Sequence, residues 1–384
     1  MNRQKYKIIT ILAWLIPFIV IAIMVGTRPL KRTVTPLYHE ASANWWARQD
    51  LYNGPSGMNY LPHFAVLFSP FQALPSPVGD ILWRAVTMGL LAYGSWRIIS
   101  HHIPESRTTS SFMWFSILML PVCLGALRNG QANATFGGLI LCAVACLSDR
   151  KWWQAAVLMA IATMVKPLGI VMMLLAPAIY PTMILPVIFS LVGCVLFPFV
   201  FAAPDYVISQ HQSFLKNLNS CSEVTQNRFA DINGIIRALG GELPAMASKL
   251  MRVVAGGVFL GLTYFGGRRI QGPGRFLWLF ALATGYLMLF NPMTEYNSYV
   301  ILAPAMGLWM VWFFSDDKTR GMGWTLSAII LSMGLLPSLM RPWFGNNFGL
   351  VWPPLMTISF LVLLCFHVFR PVSGCQPSDE RKLS

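Results

Sequence analysis

Long apolar stretches recur along the whole chain, and the first runs from Ile8 to Val25 behind three basic residues. Only 11% of the 384 residues are charged and the mean hydropathy is +0.57, whereas a soluble domain carries about 25% charged residues. In lipid every backbone polar group must be paired internally, which restricts spanning segments to helices and closed barrels. Runs close to the roughly 20 apolar residues that a spanning helix needs therefore predict an all-α integral membrane protein.

Twelve apolar runs are interpreted as transmembrane helices of one bundle. The shortest pair surrounds Lys166 and Pro167, where a polar break interrupts the apolar sequence. The run 60–75 is short and contains three prolines, so it predicts a juxtamembrane helix. We expect one polytopic domain over residues 1–370 and a disordered cytoplasmic tail over 371–384. The predicted spans lie near 8–27, 80–99, 110–127, 133–148, 152–165, 167–180, 181–203, 247–266, 275–291, 297–315, 322–340 and 350–369.

The distribution of basic residues predicts how the bundle is oriented. Lys and Arg collect in the cytoplasmic corners of membrane proteins. The segments SDRK (148–151) and RRIQGPGR (268–275) fall on one side if the N-terminus is inside. The large loops 29–79 and 204–246 then lie outside the membrane. The net charge of +14 follows from this rule, so membrane lipids are expected partners and nucleic acid is not.

The first large loop carries the carboxylates that best suit chemistry at the outer surface. Glu40 and Asp50 follow the first span closely and lie among histidines and tryptophans. A carboxylate can take the proton from a hydroxyl group, and we predict Glu40 and Asp50 as catalytic residues. The alternative is structural, with Glu40 near a helix N-terminus and Asp50 in a cap or a loop hydrogen bond.

Basic side chains from five different helices are predicted near the outer face. Ionisable groups at membrane depth are costly and usually face a cavity or a partner. Each one alone could instead extend to the lipid headgroups. Together they predict a phosphate site, because Arg binds phosphate through a fork of donors and Lys binds it as a point charge. The predicted phosphate-binding residues are Lys166, Arg128, Arg84, Arg252 and Arg341.

Two polar corners complete the predicted site, one at 128–133 and one at 291–297. Their side chains either cap helix ends or contact substrate, and Glu295 either orients an acceptor hydroxyl or pairs with Arg341. The sequence has no Gly-rich phosphate loop, no CxxC and no His-Glu-x-x-His, so no cofactor and no metal are predicted. The predicted substrate-binding residues are Asn129, Gln131, Asn133, His63, Glu295 and Asn297.

Five short segments share their order and spacing with a known family. They are YHEAS (38–42) with Trp45 and DLY (50–52), NYLP (59–62) with Phe71 and LP (74–75), NGQAN (129–133), KP (166–167) and NPMTEYNSY (291–299). With them the chain resembles the multispanning GT-C glycosyltransferases, most closely glycosyltransferase family 87, the polyprenyl-phosphate-mannose-dependent type. The resemblance covers residues 8 to about 310.

This resemblance implies a GT-C-like bundle that performs an inverting transfer on the extracytoplasmic face of a bacterial cytoplasmic membrane. It implies a polyprenyl-phosphate sugar as donor, a lipid or glycan as acceptor, and a first-loop acid as base. The chain departs from the family pattern at one place. The family usually has an Asp shortly before the Tyr of the first-loop motif, where this chain has Thr33, Val34 and Thr35. Glu40 is expected to replace that Asp.

Two other functions are compatible with the same composition. A transporter or lipid flippase also has buried charges and helices broken at Pro or Gly, but such folds commonly show paired halves, and this chain shows no such symmetry. A non-catalytic GT-C-like scaffold would follow if the missing Asp abolished the chemistry. The large loop with acidic residues behind the first span favours the enzyme.

Overall fold

The computed structural model describes residues 3–52, 58–222 and 229–370, with the backbone alone at 219–222. The predicted tail 371–384 lies outside the described residues. Within those ranges every regular element is helical, and short 3₁₀ turns occupy Pro181–Met183, Phe197–Val200, Tyr296–Val300 and Asp317–Thr319. The α-helices are α1 (Arg3–Thr27), α2 (Thr35–Trp46), α3 (Pro62–Gln72), α4 (Val78–His102), α5 (Glu105–Asn129), α6 (Ala132–Ser148), α7 (Trp152–Val165), α8 (Gly169–Ile179), α9 (Ile184–Leu196), α10 (Pro204–Ser222), α11 (Ile232–Ala238), α12 (Ala245–Arg269), α13 (Gly274–Phe290), α14 (Ala303–Phe313), α15 (Arg320–Phe344) and α16 (Asn347–Phe369).

The bundle has a buried centre and an apolar perimeter. Helices α6, α13 and α14 are buried on nearly all sides. By contrast, only 17% of the most apolar stretch of α1 and of α12 is buried. Their outward side chains include Ile11, Ile23 and Val253, each more than half exposed. A surface covered by large aliphatic side chains is suited to lipid, which confirms the predicted all-α membrane protein.

The predicted count of twelve spans is not supported. Each predicted span coincides with helical structure, but only six helical segments of the described chain are long and apolar enough to cross a membrane. Several others are too short, because a helix rises about 1.5 Å per residue and the hydrocarbon core is about 30 Å thick. The six are Arg3–Thr27, Glu105–Asn129, Pro181–Val200, Ala245–Arg269, Asp317–Phe344 and Asn347–Phe369.

Helices α7 and α8, predicted as two spans, form a short hairpin instead. They have 14 and 11 residues, so they rise only roughly 21 Å and 16 Å. Trp152 at the start of α7 meets Tyr180 at the end of α8, with ring centroids 5.3 Å apart. The apex of the hairpin is the Lys166–Pro167 break. We call the end of the bundle that holds this apex the Lys166 end, and the end that holds Trp152 and Tyr180 the Arg275 end, since Arg275 bonds to Ile179 there.

The two large loops contain helices of their own. The predicted juxtamembrane helix within 60–75 is α3, which packs against α2 and α4 and buries His63 and Phe64. The second large loop contains α11. Much of the first loop is therefore folded onto the bundle, and α2 and α3 cover the start of α4.

Helices α4 and α6 approach closely through two glycines. A Cβ atom at Gly94 of α4 would lie 2.9 Å from Leu141 Cγ and 3.1 Å from the backbone nitrogen of Cys142. A Cβ atom at Gly138 of α6 would lie 2.8 Å from Leu90 Cβ. Small residues allow such close contact where lipid gives helices no hydrophobic reason to associate. The contact fixes where α6 begins relative to α4.

Gly94→Val is expected to lower the free energy of unfolding by about 1–3 kcal/mol, because the added side chain must displace Leu141 and the α6 backbone. Gly89→Val in the same helix is the matched control, since a Cβ atom there meets nothing within 4 Å. The measurement is the thermal unfolding midpoint of both variants in the same detergent. Equal midpoints would contradict the close packing of α4 on α6.

Candidate active site

A left-handed glycine turns the chain between α5 and α6. Gly130 has φ 65° and ends α5, and the amide of Gln131 donates to Ala126 O at 3.0 Å. Glycine adopts this conformation without steric cost. A Cβ atom here would also lie 2.8 Å from a terminal guanidinium nitrogen of Arg84. The NGQAN corner can therefore lie directly against that arginine.

Arg84 joins α4, the corner and the first loop. Its side chain is 1% exposed. Nε and Nη2 donate to Arg128 O at 3.2 and 3.0 Å, Nη1 donates to Asp80 O at 3.0 Å, and Nη2 also donates to Thr33 Oγ1 at 2.9 Å. Arg84 was predicted as a phosphate ligand. In the structure its N–H donors bind backbone carbonyls and a hydroxyl group of the protein itself, so the side chain holds these segments together.

A pair of buried tyrosines fixes the first loop on the N-terminus of α6. Tyr38 Oη accepts from the amide of Ala132 and lies 3.1 Å from Tyr60 Oη. Tyr52 Oη donates to Tyr60 O at 2.7 Å. Burial raises the pKa of both Tyr38 and Tyr60, which keeps them neutral. Sequence analysis did not predict these two as site residues, although both lie in the segments that carry the family resemblance.

Lys166 lies at the apex of the α7–α8 hairpin. It precedes a proline and is extended, with φ −152° and ψ 129°, as the proline ring demands of the residue before it. Its Nζ donates to Asn133 Oδ1 at 2.5 Å, and Asn133 Nδ2 donates to Ser298 Oγ at 3.0 Å. The proline break thus delivers a cation to the start of α6, and Asn133 holds it in place.

Glu295 belongs to the same hydrogen-bond network. Its backbone amide donates to Ser298 Oγ at 3.2 Å, and its carboxylate accepts from Gln131 Nε2 at 3.2 Å. The carboxylate attracts the ammonium group of Lys166. Gln131 Oε1 is buried and has no hydrogen-bond partner among the residues that the structure describes. We call Gln131, Asn133, Lys166, Glu295 and Ser298 the polar cluster. It joins four of the predicted site residues from three separate parts of the chain.

Three other predicted residues lie beside the polar cluster. Asn297 Oδ1 packs against Gly125 of α5. Asn129 O accepts the amide of Val34 at 3.0 Å. Arg128 Nε and Asn129 Oδ1 are both buried, and neither has a hydrogen-bond partner in the described ranges. The backbone of Asn129 therefore ties the corner to the first loop, and the backbone of Arg128 ties it to Arg84 of α4.

The remaining predicted ligands have no described contact with the polar cluster. His63 Nε2 donates to Cys194 O at 2.8 Å, and burial lowers the pKa of His63 to about 4, so it is neutral. Arg252 lies on α12, where its carbonyl accepts from Tyr286 Oη. Arg341 is not paired with Glu295; it lines a separate cavity of about 320 Å³ beside Tyr296.

The two predicted catalytic carboxylates of the first loop differ in environment. Glu40 is exposed on α2. It follows Tyr38 by two residues, or about 200° around the helix, so it faces away from the buried tyrosine. Asp50 Oδ1 accepts the amide of Tyr52 at 2.8 Å and Oδ2 accepts from Ser213 Oγ at 3.3 Å. Asp50 thus makes hydrogen bonds within the loops. The catalytic roles of Glu40 and Asp50 stay predictions.

The second large loop brings a further carboxylate to the Glu295 corner. The amide of Ala230 donates to Thr294 O at 2.6 Å, and Tyr299 Oη donates to Ala230 O at 2.8 Å. The neighbouring Asp231 caps α11 by accepting the Gly234 amide at 2.7 Å. Burial raises the pKa of Asp231 to about 6. Asp231 was not predicted as a site residue; its signal in the sequence was an acid inside the second large loop.

The polar cluster holds a cation, a carboxylate and amides in one fixed network within a helical membrane protein. These are the groups of an enzyme that acts on a charged substrate. The sequence model of glycosyltransferase family 87 matches residues 59–292, more than half of the chain. The chain belongs to this family and is a membrane glycosyltransferase. Searches of curated proteins and of solved structures each found no match. The matched range includes Gln131, Asn133 and Lys166 and ends three residues before Glu295.

Tyr38→Phe is expected to lower the free energy of unfolding by about 1–3 kcal/mol, because the Ala132 amide would lose its acceptor in a buried place. The measurement is the thermal unfolding midpoint in detergent. Tyr264→Phe is the control, since Tyr264 is 37% exposed and its hydroxyl has no hydrogen bond within the described chain. A midpoint for Tyr38→Phe equal to that of the control would contradict a structural role for this hydroxyl.

Proposed function

We propose that this chain transfers a hexose from a polyprenyl-phosphate sugar to a lipid-linked or glycan acceptor on the extracytoplasmic face. The observation that carries the proposal is the 2.5 Å bond from Lys166 Nζ to Asn133 Oδ1, in one network with Glu295. A fixed cation stabilises a departing phosphate, and a carboxylate accepts the proton of a hydroxyl group. The polyprenyl carrier, and mannose as the favoured hexose, rest on the family resemblance.

In the proposed reaction an acceptor hydroxyl oxygen attacks the anomeric carbon on the face opposite the phosphate. The bond from that carbon to the phosphate oxygen breaks, and its electron pair stays on the oxygen. The products are an inverted glycoside and polyprenyl phosphate, and the hydroxyl proton passes to a carboxylate. Lys166 stabilises the negative charge on the departing phosphate. Asn133 fixes the ammonium group before substrate binds, which lowers the reorganisation that the transition state requires.

Two carboxylates compete for the role of base. Sequence and resemblance favour Glu40, with Asp50 second. The geometry favours Glu295, because its carboxylate, which accepts from Gln131 and from the Ser298 amide, shares the network of Lys166. It is also exposed, so an acceptor hydroxyl can reach it. We propose Glu295 as the base, with Glu40 as the alternative.

Lys166→Met is expected to reduce the rate of sugar transfer by about 100-fold or more, because the departing phosphate loses its counter-charge. The assay follows label from polyprenyl-phosphate mannose into extractable lipid, in membranes that contain the full-length protein. Lys151→Met is the matched control, since Lys151 lies at the Arg275 end and pairs with Asp149 at 3.6 Å. Transfer by Lys166→Met at the control's rate would refute the assigned role of Lys166. If the wild type transfers no sugar from a panel of lipid-phosphate donors, the proposed donor class is wrong.

Glu295→Gln is expected to lower the transfer rate about 100- to 10,000-fold, the usual contribution of a general base. The amide keeps the size of the side chain and its contact with Gln131 but accepts no proton. Glu40→Gln is tested beside it, with Glu105→Gln as the control, an exposed acid that pairs with Arg3 at 2.9 Å. A large loss in Glu40→Gln with normal transfer in Glu295→Gln would move the base to the first loop.

A further inference from the structure

A second polar cavity lies at the Arg275 end, away from the polar cluster. The ends of α4, α6 and α8 meet the starts of α7 and α13 around a space of about 240 Å³. This equals roughly eight times the share of one water molecule in the liquid. Its polar and aromatic lining includes His102, Ser148, Arg150, Trp152, Tyr180 and Arg275.

Two arginines face this cavity without an acidic partner. Arg275 Nη2 donates to Ile179 O at 3.1 Å, and its guanidinium lies 5.4 Å from the ring centre of Tyr180. Within the described chain, neither Arg150 nor Arg275 has a carboxylate oxygen within 4.0 Å. The carboxylate next in sequence to Arg150, that of Asp149, pairs instead with the side chain of Arg97. The cavity therefore has an uncompensated positive charge.

Polar atoms on the wall of the cavity lack partners. Arg275 Nε and His102 Nε2 are both buried, and neither has a hydrogen-bond partner within the described chain. A buried nitrogen without a partner loses its hydration with nothing in return, and a ligand oxygen can supply the missing hydrogen bond. Arg150 is placed beside them by a left-handed backbone with φ 60°, a conformation that is uncommon outside glycine. The wall thus presents guanidinium N–H donors and the His102 ring nitrogen to one small ligand that accepts hydrogen bonds.

We infer that this cavity binds a phosphate group. Arginine recognises phosphate through paired N–H donors, and two arginines with no acid between them exclude a cationic ligand. The aromatic rings of Trp152 and Tyr180 would lie against whatever carries the phosphate. The same chemistry is available from the headgroup of an anionic phospholipid at the membrane surface and from free phosphate. This site is independent of the proposed sugar transfer, because it lies at the opposite end of α6 and α7 from the polar cluster.

The experiment uses the full-length protein and two separate probes. In one arm the protein in a neutral detergent is titrated with inorganic phosphate against chloride at equal ionic strength. In the other arm it is placed in phosphatidylcholine nanodiscs with or without phosphatidylglycerol, in phosphate-free buffer. The readout in both arms is the shift of the thermal unfolding midpoint. The variants are Arg150→Gln, Arg275→Gln and, as a control of equal charge, Arg268→Gln, whose side chain lies over Tyr264 at 4.4 Å and does not line the cavity.

The wild type and Arg268→Gln are expected to be stabilised in at least one arm. Arg150→Gln and Arg275→Gln are expected to need about 10-fold more phosphate or anionic lipid for the same shift. A shift with phosphate identifies the free ion as a ligand, and a shift with phosphatidylglycerol alone identifies a lipid headgroup. If Arg275→Gln does not fold because it loses the Ile179 bond, Arg150→Gln still decides, since Arg150 is exposed. No shift in the wild type, or equal shifts in Arg150→Gln and Arg268→Gln, would overturn the inference.

Discussion

The buried guanidinium of Arg84 is the interaction on which the site end of the protein depends. It donates to carbonyls at the start of α4 and the end of α5 and to the hydroxyl of Thr33. A charge in so enclosed a place is tolerated only when its donors are satisfied. The Asp80 carboxylate nearby adds favourable charge and itself accepts from His39 of α2 at 3.0 Å. One side chain thus fixes the first loop, the NGQAN corner and α4 relative to one another.

The polar cluster is held in place by that arrangement. Gln131 and Asn133 lie in the NGQAN corner, which Arg84 fixes, and each bonds to the 295–298 corner. Lys166 reaches the same place from the α7–α8 apex. Groups held in this way need little reorganisation when charge develops on a substrate, which is how fixed dipoles and charges lower a barrier. The close α4–α6 contact at Gly94 and Gly138 supports the geometry from within the bundle.

The sequence predicted the helices and the convergence of three corners, but not their arrangement. Apolar runs locate helices because lipid leaves the backbone few alternatives. The NGQAN, Lys166-Pro167 and 291–299 segments were predicted to share one face, and side chains from all three do bond together. The count of twelve spans is not supported, because an apolar run indicates burial away from water and does not by itself give a helix long enough to cross a membrane. The predicted span 152–165 has only 14 residues, as α7 does, and this length already indicated a helix too short to cross a membrane.

Other features were beyond sequence analysis for physical reasons. That Arg84 points at carbonyls and not at a ligand depends on which backbone atoms come near it in three dimensions. The pairing of Tyr38 with Tyr60 likewise requires α2 and the segment before α3 to meet. The exposure of Glu40 was partly foreseeable, since a residue two positions from a buried tyrosine faces the other way on a helix.

The shortness of the α7–α8 hairpin has a kinetic consequence. If α7 starts at one edge of a 30 Å hydrocarbon core, its rise of roughly 21 Å leaves its apex roughly 9 Å short of the other edge. Lys166 would then lie below the plane of the headgroups on its own side. The proposed donor, carried on a polyprenyl chain, would arrive there by lateral diffusion within the leaflet. The saturation of such an enzyme would follow the mole fraction of donor in the lipid, and diluting the membranes with buffer would leave its rate per protein molecule unchanged.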